Sequence, residues 1–124
     1  ALMGAIIKKQ PEIATEILDR DDVYVNLQDI GGDTALLWAC ATNQPEIVKQ
    51  ILDKDGVDVN IQNKDGHTAL MVAISGKLPK VAKKILKIPT INVKLKDNNG
   101  NTALMLANKM HQTEIANEIR NKET

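Results

Sequence analysis

Apolar and polar positions run through two different periods along this chain, always in the same order. Residues 34–62 show it most clearly: Ala35, Leu36, Ala39 and Cys40, then Ile47, Val48, Ile51 and Leu52, fall at helical spacing and predict two short helices facing each other. Neither is long enough to be stable alone. Pro45 suits the first turn of the second helix, where its missing N–H is not needed and its φ is already helical. A tight break around Asn43 then makes the two an antiparallel pair. After Leu52 the period drops to two. Val57, Val59 and Ile61 alternate with Asp58, Asn60 and Gln62 until Lys64, Asp65 and Gly66 supply a turn, which predicts an extended β-hairpin finger leading to the next unit.

The whole pattern recurs. TALLWACA begins at Thr34, TALMVAIS at Thr68 and TALMLANK at Thr102, each 34 residues after the last. ALMGAI at the first residues aligns with ALLWAC, and Pro11, Pro45 and Pro79 share one column. A fixed period of this length marks a stacked-repeat protein, here one domain over residues 1–124 with units at about 1–28, 29–62, 63–96 and 97–124. The first helix of each unit is apolar nearly all round, which makes sense if neighbours press on both flanks. Leu37, Met71 and Met105 then form one buried column, with Trp38, Val72 and Leu106 as the other. The expected architecture is an all-α solenoid, elongated and without a closed interior. Ala1 starts a helix with no preceding Thr cap, so the first unit is read as incomplete and the module as part of a larger chain. In the last unit Arg120 breaks the column Leu18, Leu52, Leu86, as expected of a polar capping unit.

Composition narrows the function classes. Apolar residues make up 43% of the chain but the only aromatics are Tyr24 and Trp38, so burial must come from aliphatic side chains. No apolar run approaches the roughly 18 residues of a membrane span. A single cysteine, Cys40, allows no internal disulfide and fits a reducing, intracellular and cytoplasmic setting. Net charge is zero but segregated: residues 1–62 hold five bases and eleven acids, residues 63–96 eight lysines and one acid. Such a pattern orients partners without making a general polyanion binder.

The D-x-x-G-x-T-A-L phrase, the helix pair and the D-V-N hairpin resemble ankyrin repeats, with Asp29, Gly32, Thr34, Gly66, Thr68, Asp97, Gly100 and Thr102 on motif positions. The resemblance covers essentially the full chain. It implies helix-turn-helix units joined by β-hairpin loops, and a concave groove, lined by hairpin tips and first helices, that holds a protein or peptide. Two departures stand out. Where the family has Pro and then Leu-His after the Thr, this chain has Ala35, Ala69 and Ala103, then Leu37, Met71 and Met105, so the family's buried histidine network is missing. Where the family has Gly between the helices, this chain has Lys9, Asn43, Lys77 and His111. If these keep a left-handed backbone, each costs roughly 1 kcal/mol, Asn43 least, and stability is modest.

Comparison among the units separates positions the scaffold dictates from positions it leaves free. The free ones are Gln28, Ile30 and Asp33; Gln62, Lys64, Asp65 and His67; Lys96, Asn98, Asn99 and Asn101; with Thr42, Ser75 and Lys109. On the resemblance these are the partner-binding positions, recognising a protein or peptide largely through hydrogen bonds. Taken singly, each is better explained by absence of constraint, and the case rests on the set rather than its members. Lys80, Lys83, Lys84 and Lys87, with Lys77 before them, form a basic stripe open to an acidic partner. The same columns carry Glu46, Asp53, Glu114 and Glu118 in adjacent units, and compensation across packed helices is the favoured reading. Leu52 eight residues before Asn60, with Asp58 and Val59 between, resembles the pattern on which oxygenases hydroxylate ankyrin hairpin asparagines; the simpler reading is that Asn60 stabilises its hairpin.

Enzyme readings fail on inventory. His67 and His111 fall on a hairpin tip and a helix-helix turn, and with Cys40 alone they make no zinc set. No nucleophile, base and orienter can be assembled, and Gly31 and Gly32 belong to a hairpin turn rather than to a phosphate loop. No cofactor is called for. Nucleic acid is disfavoured by the lack of an exposed aromatic set, and membrane docking through the lysines is the weakest option. The expectation is a non-catalytic interaction module, monomeric as an isolated domain; the alternative is a structural or regulatory segment of a larger enzyme, channel or effector.

Overall fold

The computed structural model describes residues 2–123. Ala1 and Thr124, which bound the first and fourth predicted units, lie outside the described residues, as does the start of the first helix. Four helix pairs follow one another: α1 (Leu2–Ile7) with α2 (Pro11–Leu18), α3 (Ala35–Ala41) with α4 (Pro45–Leu52), α5 (Ala69–Ser75) with α6 (Pro79–Leu86), and α7 (Ala103–Lys109) with α8 (Thr113–Glu123). Each first helix packs on the first helix of the next unit and each second helix on the next second helix, so two helical layers run the length of the stack.

Local chemistry sets the ends of these helices. Thr34, Thr68 and Thr102 stand in extended backbone just ahead of α3, α5 and α7, and their hydroxyls accept from the N–H groups of Leu37, Met71 and Met105 at 3.2–3.3 Å. A cap of this kind is worth about 1 kcal/mol. Pro11, Pro45 and Pro79 each open a second helix. Between the helices Lys9, Asn43, Lys77 and His111 do take positive φ, 54° to 59°, so the backbone that glycine would adopt without strain is imposed on four side-chain-bearing residues.

Burial follows the columns. Leu37 and Met71 are sealed between neighbours, whereas Met105, in the last unit, is 49% exposed. Ile47, Ile51, Ile85, Ile115 and Ile119 fill the second-helix layer, and Val25, Val59 and Val93 anchor the fingers. The fingers themselves are barer than a β-ladder. Among the described residues the only β-pairing is a single antiparallel bridge, Lys96 with Thr102. The tips are held instead by bonds that close each turn on itself and by others that run from unit to unit.

Candidate functional site

Each tip is a tight turn closed by one side chain at its first position. The backbone closes Asp29 to Gly32 and Asp33, Asn63 to Gly66 and His67, and Asp97 to Gly100 and Asn101. In every case the carboxylate or amide oxygen of that first residue also accepts an N–H from four residues on, at 2.9–3.0 Å. Asp97 is buried; the N–H of Asn101 foremost, then that of Asn99 and the nearby His67, hold its carboxyl below the usual 3.8 against the opposing effect of burial. Asp29 is held below that value chiefly by the Trp38 indole, which donates to it at 2.9 Å. Trp38 is therefore tied into the scaffold, as its column position implied.

Successive tips are stapled together. The N–H of Lys64 donates to the Gly31 carbonyl and that of Asn98 to the Asp65 carbonyl, both at 3.0 Å. Such contact leaves no room for a side chain at Gly66, whose added Cβ would fall 2.7 Å from the Asn98 nitrogen. Several of the predicted partner-binding side chains serve these staples. Gln28 reaches the carbonyls of Gly32 and Gln62, and Gln62 those of Gly66 and Lys96. The Asn98 amide donates to the Lys64 carbonyl, Asp33 accepts from Asn63, and His67 Nε2 lies 3.5 Å from the Asp97 carboxylate. Thr42 donates back to the Trp38 carbonyl and accepts from Gln44. Asn60 bridges units as well, donating to the Thr90 carbonyl and accepting from the N–H of Asn92, so its side chain ties its finger to the next rather than closing its own hairpin. Ile30, Lys64, Asp65, Ser75, Lys96, Asn99 and Lys109 keep exposed side chains, while Asn101 is half-buried.

A cleft of about 380 Å³ opens between the second and third units and brings His67 and Ser75 together with Ala41, Met71, Val72 and Leu78. At the same junction one column that sequence reasoning passed over is broken. Gln44 and Gln112, each just before a second helix, donate at 2.7 Å to the carbonyls of Ile6 and Ile74 in the preceding unit. The same column holds Leu78, which cannot donate to the Cys40 carbonyl, so this junction lacks the bond its neighbours have. Gln10, Gln44, Leu78 and Gln112, read at the 34-residue period, would have shown the break. Cys40 at the cleft floor is buried, and burial pushes its thiol up to about 12, far from reactive.

The lysine stripe is only partly compensated. Lys83 pairs with Glu114, which raises the lysine above its usual value, chiefly through that hydrogen bond. Lys77, Lys80 and Lys87 are exposed, Lys84 is half-buried, and among the described residues none of the four has an ion-pair partner; nor have Glu46 and Asp53. Among the described residues no cluster of His, Cys, Asp or Glu could hold a metal, and no helix is long and apolar enough to cross a membrane.

A family model described as ankyrin repeats (3 copies) matches residues 2–97 and 56–123. No curated protein matches the chain. The chain belongs to the ankyrin-repeat family, whose repeats are in general protein-binding modules.

Proposed function

We propose that this chain is a non-catalytic recognition module that seats a protein segment along its tips and first helices, with the cleft between the second and third units as the anchoring point. The observation that carries the reading is the cleft itself: 380 Å³ with an aliphatic floor and polar groups at its rim, at the junction where Leu78 stands in place of the bonded glutamine. Charge says which segment fits. Lys64, Lys77, Lys96 and Lys109 are exposed and have no ion-pair partner among the described residues. Of the tip carboxylates, Asp29, Asp33 and Asp97 are engaged by Trp38, Asn63 and the turn N–H groups. Among the described residues Asp65 is the one tip carboxylate that is exposed and unengaged. An acidic segment carrying one aliphatic side chain is the match.

A random peptide library displayed against the immobilised chain tests this. Enrichment of acidic peptides with an aliphatic residue is expected, bound at least about ten-fold more weakly by Ser75→Trp or by Lys64→Glu with Lys109→Glu, at unchanged helicity. Equal binding by Ser75→Trp would remove the cleft from the reading. Failure to enrich anything favours the structural-segment alternative, which draws its own support from the number of tip groups engaged in stapling neighbours.

A further inference from the structure

The carbonyls of Ile6, Cys40 and Ile74 hold one position in three successive units. Each accepts the N–H three residues on, in the left-handed turn, at 3.0–3.2 Å. Those of Ile6 and Ile74 accept a second bond, at 2.7 Å, from the side-chain amide of Gln44 or Gln112 in the next unit. Cys40 receives no side-chain donor among the described residues, because Leu78 stands where the glutamine would be. A leucine ends one atom short of a glutamine amide nitrogen and has no hydrogen to donate. The acceptor therefore keeps a vacant partner position at the junction where Cys40, Leu78 and Ser75 line the cleft.

From this we infer that the cleft takes the carboxamide of a glutamine carried by the bound segment, its NH2 group on the Cys40 carbonyl and its oxygen on the Ser75 hydroxyl. The inference rests on the recognition reading above and adds to it the residue that an acidic segment needs beside its aliphatic one. Three observations select this group. Cys40 is 2% exposed, so a side chain rather than a main chain reaches its carbonyl. Lys77, exposed and without an ion-pair partner among the described residues, precedes Leu78 and repels a lysine or arginine donor. Ser75 is exposed and its hydroxyl makes no bond among the described residues, so an amide oxygen finds a donor that an aliphatic side chain would leave idle. The segment thus repeats, from outside, the bond that the chain makes with its own glutamines at the junctions on either side.

Short acidic peptides with one leucine and one test residue, in all orders and with both termini blocked by groups other than a primary amide, test this. The test residue is glutamine, methionine or glutamate. Fluorescence anisotropy should show the glutamine set bound at least about five-fold more tightly than either other set. In a chain carrying carbon-13 at its carbonyls, the Cys40 resonance should move with the glutamine set and stay in place with the methionine set. Leu78→Gln lets the chain fill its own acceptor, so the preference and the resonance shift should both vanish. Ser75→Ala, a change at an exposed position, should reduce the preference to about two-fold at unchanged helicity. Glutamine and methionine sets bound alike, a Cys40 resonance that does not respond, or a preference that persists in Leu78→Gln would overturn the inference and leave recognition in the cleft standing. Binding of none of the sets would overturn both.

Discussion

Glycine placed at Lys9, Lys77 and His111 should stabilise the chain, and at Asn43 it should not. All four residues are exposed and sit at φ of 54° to 59°, close to the ideal left-handed value. There an L side chain crowds the following carbonyl at a cost of about 1–2 kcal/mol, which glycine removes. Glycine also gains freedom in the unfolded chain, which returns about 0.5–1 kcal/mol. The net is about 0.5–1 kcal/mol at each lysine or histidine. Asparagine tolerates this backbone far better, so Asn43→Gly should fall within a few tenths of zero. The sites belong to different units and share no hydrogen-bond partner, so the triple variant should gain about 1.5–3 kcal/mol. For a domain of this size that is about 5–12 °C in Tm. Thermal and urea melts followed by far-UV circular dichroism read both quantities. A triple variant that melts with the parent, or Asn43→Gly matching Lys77→Gly, would refute the claim that backbone strain at these turns limits stability.

Other perturbations probe the tips, the cleft and the core. Asp97 has a lowered carboxyl pKa in the fold, so its contribution is complete above the unfolded value of about 3.8 and is lost as pH falls through the lower folded value. Asp97→Asn keeps the turn geometry that Asn63 already shows and should flatten the acid limb of stability below about pH 4; an unchanged limb would refute the assignment. Cys40 should resist iodoacetamide at pH 8 in the native chain and react at the rate of unfolding, followed by mass spectrometry; rapid native labelling would contradict its burial. Leu78→Gln should supply the missing donor to the Cys40 carbonyl at the expense of a half-buried leucine. The melt should stay within about 1 kcal/mol of the parent while peptide binding in the cleft weakens.

The repeat, the helix pairs and the aliphatic columns were legible in the sequence because each is a pattern over many residues, and packing leaves no other way to bury a helix that is apolar on several sides. The left-handed turns were legible too, since a column that elsewhere holds glycine fixes the backbone whatever side chain occupies it. The fingers were read less well. Alternation through Val57, Val59 and Ile61 is compatible with a strand, yet a strand needs a partner of matching length, and here the neighbouring backbone belongs to the next unit. The tip side chains show the sharpest limit. Variation among Gln28, Asp33, Gln62 and Asn98 reads as freedom when units are compared singly, but their partners lie 30 or 34 residues away in the stack.

Stapling and recognition therefore compete for the same polar groups in this fold. An amide that bridges two carbonyls offers little to a ligand without first breaking those bonds, at a cost comparable to the bond gained. A ligand seats most readily where the stack leaves a bond unmade, and the second-to-third junction is such a place, since Leu78 replaces the glutamine that closes the junctions on either side. The exposed lysines then add long-range attraction that requires no staple to open. On this view a variant that improves the stack at Leu78 and one that fills the cleft at Ser75 act on binding in the same direction for different reasons: the first by closing the junction, the second by occupying it. Only the first should leave the cleft-facing surface of α5 unaltered.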